Sequence, residues 1–439
     1  MADSETGLFL KHATAVTLEP ATVRAGVHVR CQGGTIAAVG PDLEPAPGDA
    51  VVDLGGQVLM PGLVVGHHHL YSALARGMPA PFRTPPTDFG EVLEKVWWRL
   101  DKALDDDTVY LSGLAGALEA ARFGITTIVD HHASPHAVTG SLDRIARGIT
   151  DVGLRGLLCY EVSDRDGPEV AEAGVAENER FLTATADHPR LRGLIGAHAS
   201  FTLGDATLDR LAALADQTGA GLHIHLLEDA KDREASEARY GADPVTRLSQ
   251  RGLLTPRALL AHGVHLTDAE IERVKEAGCF LAHNARSNMN NRVGAAPVGR
   301  LGDRVLLGTD GIDGDILAEA RAAIFRGREH EPPVDLGCYL GLLQRSNVLL
   351  SEYFGARFGE IAPGAVADLV VLDYDPPTPL SAENLGGHLG FGWGAHLVRS
   401  VIVAGGFVLR DRIPTRIDAA EALQATRAGA QRLWKKLLP

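Results

Sequence analysis

Cysteine is scarce in this sequence: Cys31, Cys159, Cys279 and Cys338 are the only four in 439 residues, and no two form a C-x-x-C pair. That spacing excludes a disulfide frame and a thiolate zinc site, and leaves small apolar side chains suited to a reducing compartment. Long hydrophobic runs are also missing, and none approaches the roughly 18 residues that a membrane span needs. The opening MADSETGLFL is acidic and lacks the basic-then-apolar layout of a secretory signal, so a cytoplasmic protein is expected. There is no broad basic stripe. With 42 Lys and Arg against 56 Asp and Glu, the net charge of −14 argues against a nucleic-acid partner. Low-complexity tracts and long-period repeats are absent as well.

What remains is an ordinary globular composition, 45% hydrophobic and 22% charged, over a length that suggests one large domain and an accessory one. Up to about Pro61 the chain reads as short strands (AVTL, VHVRC, TIAAVG, VVDLGGQVLM) punctuated by Gly, Pro and Asp. The same texture returns in ADLVVLDYD and VRSVIVAGGFVL, so residues 1–60 and 355–439 are expected to form a small composite β-sandwich domain. The tail DAAEALQATRAGAQRLWKKLLP reads as an amphipathic helix that packs on the protein or on a partner subunit, having few basic residues for a membrane surface.

Between the two ends, short apolar strands alternate with helical stretches, the rhythm of βα units. Eight strands are expected: 63–67, 125–130, 154–161, 191–198, 221–226, 258–263, 279–284 and 305–310. Eight is the number that closes a TIM barrel, so the fold class is α/β, with a (β/α)₈ barrel over residues 61–354. Nearly every strand ends in a polar group: His67 and His69, Asp130, Glu161, His198, His225, His262, Asn284 and Asp310. Buried barrel strands are otherwise apolar, and catalytic groups belong at their C-terminal ends.

Four constellations carry chemistry. His67-x-His69 puts two imidazoles on one face of a strand, where they can share an ion. Alone the pattern is weak, since it recurs at His223-Ile-His225, and His68 points the other way as a structural residue. His225-Leu-Leu-Glu228 pairs a third imidazole with a carboxylate placed to shuttle protons. Gly308-Thr309-Asp310-Gly311 supplies a carboxylate, and three histidines with one carboxylate leave a coordination position for water. In Ala261-His262-Gly-Val-His265, His262 at the strand end is the group that could polarise a bond under attack, with His265 structural.

Pro61-Gly-Leu-Val-Val-Gly-His-His-His69 resembles the opening motif of the amidohydrolase superfamily, and HLLE, AHGVHL, HNARSN and GTDG follow in that superfamily's order. LGGQVLMPGL and GEIAPGAVADLVVLD resemble its flanks, so the likeness spans essentially the whole chain. Within the superfamily the chain is similar to the group of guanine deaminase, adenosine-type nucleoside deaminases and triazine hydrolases. HLYSALARGM, YEVSDRDG and HNARSNMNN are most like the SsnA-like aminohydrolases. The resemblance implies His67, His69, His225 and Asp310 as metal ligands, with Glu228, His262 and Asp310 as the catalytic groups. It implies one divalent ion per chain, zinc first, with iron and manganese compatible. Binuclear relatives carry a bridging lysine where this chain has His198, and strands three and four contain no lysine.

The implied reaction is deamination of a small aminated heterocycle such as a purine, pterin or pyrimidine-like ring. Activated water attacks, Asp310 accepts its proton, Glu228 protonates the ring nitrogen, His262 steadies the developing charge, and ammonia leaves. His198, Trp97, His132, Glu161, Arg286 and Asn288 are the expected substrate contacts. A homodimer is expected, as in relatives. The competing readings are hydrolysis of a cyclic amide or of a chlorinated or alkylaminated heterocycle, and a barrel retained only as a scaffold.

Overall fold

The computed structural model describes residues 7–329 and 334–437. Eight parallel strands form its centre: β1 (Leu63–His68), β2 (Ile125–His132), β3 (Arg155–Tyr160), β4 (Leu191–Gly193 continued by Ile195–Ala199), β5 (Leu222–Leu226), β6 (Leu259–His262), β7 (Phe280–His283) and β8 (Val305–Leu307). They pair in chain order as two arcs. Val162, just past β3, bridges Ala197 of β4 and joins the arcs on one side; His68 and Asp310 join them on the other. Thr309 and Asp310 donate backbone N–H groups to the His67 carbonyl at 2.8 and 3.1 Å, and the cylinder is closed.

Closure requires two backbones to meet without side chains between them. A Cβ on Gly66 of β1 would lie 2.2 Å from Leu306 Cδ1 and 2.7 Å from the Leu307 carbonyl, so only glycine fits. The eight expected strands are all present; β1, β2 and β4 run one or two residues further than expected and the other five are shorter. The last stops at Leu307 because Gly308–Asp310 leave the strand, and Asp310 turns into the left-handed region at φ 52°.

Alternation along the strands sorts the core into two layers. Val129, Leu157, Leu259, Phe280 and Leu306 pack inside the barrel with Leu349, Leu350 and Tyr353 of the helix Leu336–Phe354. Ile128, Leu158, Ile224, Leu260 and Leu281 belong to the larger apolar layer shared with the surrounding helices. The inside therefore runs from hydrocarbon at one end to histidines at the other.

The two chain ends meet in one nine-stranded sheet, with five strands before β1 and four after the barrel helices. At its centre Val58–Pro61 lies parallel to Leu8–Leu18 and antiparallel to Leu369–Leu372. The stretch read as VVDLGGQVLM is two strands, because Gly55 and Gly56 at φ 56° and 92° turn the chain between them. The C-terminal helix Ala419–Leu437 packs on the barrel side, where its Trp434 indole donates to the Leu74 carbonyl at 2.7 Å. Among the described residues no helix is long and apolar enough to cross a membrane.

Sheet and barrel are tied by a buried ion pair. Arg155, opening β3, donates to both carboxylate oxygens of Asp368 at 2.7 and 3.3 Å, and Asp368 also accepts the Ala404 N–H at 2.7 Å. Both side chains are buried, so removing one charge strands the other in a dry setting. Asp368→Asn is expected to cost about 3–5 kcal/mol, measured by denaturant unfolding. A loss under about 1 kcal/mol would show the pair to be solvated.

Candidate active site

The polar strand ends converge at one mouth of the barrel. His67, His69, His225 and Asp310 present ligand atoms that all lie within 4.8 Å of one another. Asp310 Oδ1 stands 3.0 Å from His69 Nε2 and 3.6 Å from His67 Nε2, and the Nε2 atoms of His69 and His225 face each other at 3.1 Å.

The far nitrogen of each ring decides what the near one can do. His69 Nδ1 donates to the His131 carbonyl at 2.6 Å and His225 Nδ1 to the His198 carbonyl at 2.9 Å. Both rings then aim lone pairs, not hydrogens, into the cluster. His67 Nδ1 bonds His223 Nε2 at 2.8 Å, while its own Nε2 is buried without a hydrogen-bond partner. Lone pairs facing one another and a carboxylate at 3 Å call for a cation between them. Burial pushes His67 down to about 3 and His225 well below the usual histidine range. At His69 burial also pulls down, but without an ion between them Asp310 outweighs it and raises the ring to about 9. A proton on Nε2 then takes the place of the cation that the lone pair would otherwise face. The pocket thus asks for one positive charge among otherwise neutral imidazoles. A divalent ion of the zinc type meets that demand, since it binds neutral imidazole and carboxylate together.

Beside this cluster stand Glu228 and His262. Glu228 follows β5 and His262 ends β6, with His262 Nε2 3.5 Å from Glu228 Oε2. Burial raises the Glu228 carboxyl to about 7, against a pull from His262, so it can hold or release a proton near neutrality. Three non-glycine residues at these strand ends occupy the left-handed region: Leu227 at φ 49°, His262 at 76° and Asp310 at 52°. Each such conformation costs on the order of 1–3 kcal/mol, a strain typical of functional positions.

Above the cluster opens a cavity of about 360 Å³, within the range of small-molecule sites. Its roof comes from residues 89–103, where a π-helical turn, Leu93–Trp97, aims Trp97 and Trp98 inward. Of the expected contacts, Trp97, Glu161 and His198 line the cavity. Thr202 gives its hydroxyl to the Ala199 carbonyl and so accepts from His198 Nδ1 at 2.8 Å, which leaves His198 Nε2 as an acceptor. His132, Arg286 and Asn288 are not among the lining residues. His132 bonds Ser134 Oγ at 2.9 Å, Arg286 is taken up by Glu319 and Asp313 at 2.6 and 2.8 Å, and Asn288 sits behind His262.

Tyr71, Trp98, Phe201 and Asn291 line the cavity without having been singled out in the sequence. His223, set aside as a chance repeat, lies on the same strand face as His225 and holds His67. The period of two along β5 carried that signal.

Stripped protein is expected to bind zinc tightly, and His225→Ala or Asp310→Ala to weaken it by orders of magnitude, measured by metal analysis and chelator competition. Unchanged affinity in both variants would remove the cluster as the ion's seat.

Comparison with known proteins agrees with this architecture. A model of the amidohydrolase family matches residues 58–408. A 5'-deoxyadenosine deaminase of Methanosarcina mazei is 30% identical over 438 residues, covering 97% of this chain and 98% of that one. A 5-methylthioadenosine/S-adenosylhomocysteine deaminase of Desulforudis audaxviator is 31% identical over 423 residues, covering 92% and 94%. The crystal structure of an adenosine deaminase from Xanthomonas campestris with bound zinc superposes with a TM-score of 0.85 at 25% identity, covering 98% of both chains. With its barrel, its three-histidine, one-aspartate cluster and these relatives, the chain belongs to the amidohydrolase family.

Proposed function

We propose that this enzyme is a metal-dependent deaminase that removes the ring amino group of an adenosine-type purine nucleoside and releases ammonia. The observation that carries the reading is the Glu228–His262 pair, 3.5 Å apart beside the ligand cluster, with Glu228 on the wall of an aromatic cavity and His262 buried behind it. The names of the full-length relatives support the purine nucleoside.

When bound, a divalent ion supplies the Lewis acidity that makes hydroxide available near neutral pH. His67, His69, His225 and Asp310 would hold it, one ion per chain, with His198 in the position where a bridging lysine would serve a second. The rest falls to the chain's own groups. Trp97, Trp98 and Phe201 supply aromatic surface that excludes water and packs against a planar ring. His198 Nε2 accepts a hydrogen bond from the substrate. Glu228 delivers a proton to the ring nitrogen beside the amino-bearing carbon, and His262 steadies charge at that carbon. The carbon exchanges its C–N bond for a C–O bond. Of the two protons of water, one ends on the ring nitrogen and the other on the departing ammonia.

We also propose a composite domain of residues 1–60 and 355–439 around the barrel domain 61–354, with the terminal sheet folded into a sandwich. One apolar cluster shared by Leu10, Val29, Leu59, Leu369 and Ile402 supports that reading.

Glu228→Gln is expected to retain zinc and lose about 10²–10⁴-fold in kcat. Near-parental turnover in that variant would take the proton-transfer role from Glu228. In an ammonia-release panel, purine nucleosides are expected to turn over and cyclic amides to remain intact. Ring opening of a dihydropyrimidine or hydantoin without ammonia release would replace the deaminase reading.

A further inference from the structure

One short helix touches Asp310, His262 and Glu228, the three groups assigned to proton handling and charge at the site. The helix Ala285–Asn291 follows β7, and its inner face carries Ser287, Asn288 and Asn291. Spaced i, i+1 and i+4, these three fall within about 100° of arc at 3.6 residues per turn. Each reaches a different partner. The Ser287 hydroxyl donates to Asp310 Oδ2, the oxygen not turned toward the histidines. Asn288 Oδ1 accepts from His262 Nδ1 at 2.8 Å. Asn291 Nδ2 donates to Glu228 Oε1 at 3.2 Å and lies 3.3 Å from Ser287 Oγ, linking two of the contacts to each other.

The helix is held against rotation from its other side. Arg286 gives its Nε to Glu319 Oε2 at 2.6 Å and its Nη1 to Asp313 Oδ1 at 2.8 Å, and its backbone N–H goes to Glu319 Oε1 at 3.1 Å. Glu319 is fully buried, so this anchor is not a solvated surface pair.

We propose that Ser287, Asn288 and Asn291 are positioning residues that act through Asp310, His262 and Glu228, so that one rigid helix face sets the geometry of ion binding and proton transfer together. Ser287 occupies the outer carboxylate oxygen and leaves Oδ1 alone to face the imidazoles. Asn288 fixes the His262 tautomer with hydrogen on Nδ1. Asn291 holds one oxygen of Glu228 and leaves Oε2 turned toward His262. Buried groups with a single hydrogen-bonded orientation are what a preorganised site requires. The inference rests on the deaminase reading for its kinetic arm only.

The test compares zinc-loaded Ser287→Ala, Asn288→Leu and Asn291→Leu with the conservative Ser287→Thr, Asn288→Asp and Asn291→Gln. Zinc affinity by chelator competition, His262 tautomer by heteronuclear NMR, and melting temperature are read for each. So are kcat and KM on the best nucleoside of the panel. Ser287→Ala is expected to weaken zinc by about 10–100-fold. Asn288→Leu and Asn291→Leu are expected to keep zinc and KM and lose about 10–100-fold in kcat, with Asn288→Leu also releasing the His262 tautomer. The conservative variants are expected to recover most of each loss.

Zinc affinity and kcat within about twofold of the parent in all three disruptive variants would overturn the inference. So would losses that follow melting temperature alike in disruptive and conservative variants, which would make the helix merely structural. If no panel compound is deaminated by the parent, the deaminase reading fails, and the zinc and tautomer arms still decide this one.

Discussion

Everything at the mouth of this barrel depends on imidazole nitrogens being made to face one another. His69 and His225 could relieve the contact by turning their N–H groups inward, but the His131 and His198 carbonyls already claim those hydrogens. The rings are locked by their backs, and their fronts are left electron-rich around a carboxylate. The free energy of that arrangement is recovered only when a cation arrives, which couples ion binding to the packing of β2, β4 and β5 as well as to the ligands themselves.

The same logic explains why the supporting groups are buried so deeply. His223 stands behind His67, and the Cys159 thiol lies 3.5 Å from His223 Nδ1. Below them the barrel interior becomes hydrocarbon within one strand repeat. This hydrocarbon keeps water that could compete for these hydrogen bonds out from beneath, and the cavity lies on the opposite side. The strained backbones at Leu227, His262 and Asp310 fit this picture. A side chain that must leave a strand and bend back over its end needs a conformation that a regular strand does not offer.

Much of this was legible in the sequence because the chemistry sits at strand ends, where an imidazole or carboxylate interrupts an otherwise apolar run. The eight strands and the meeting of His67, His69, His225 and Asp310 follow from that contrast. What was not legible depended on direction and not on residue type. Arg286 and Asn288 lie two positions apart in a polar stretch that reads as substrate-facing. The helix turns the first outward to Glu319 and the second behind His262, and helical phase in a seven-residue segment leaves little periodic signal. Trp97 was expected at the substrate but its neighbour Trp98 was not, because the π-helical turn Leu93–Trp97 shifts the register of the residues that follow it. His223 was discounted because a doublet two residues from a ligand is common by chance, although strand alternation puts it on the ligand's own face.

The pairing of Val58–Pro61 with Leu369–Leu372 has a consequence for synthesis. As the nascent chain leaves the ribosome, its first five strands emerge with an unpaired apolar edge, and their partners follow some three hundred residues later. That edge stays open while all eight βα units are made, a long exposure for a surface prone to pairing with other chains. The sheet can therefore be completed only once Leu369–Leu372 has been made, and the demand for protection falls on the strands between Leu8 and Pro61.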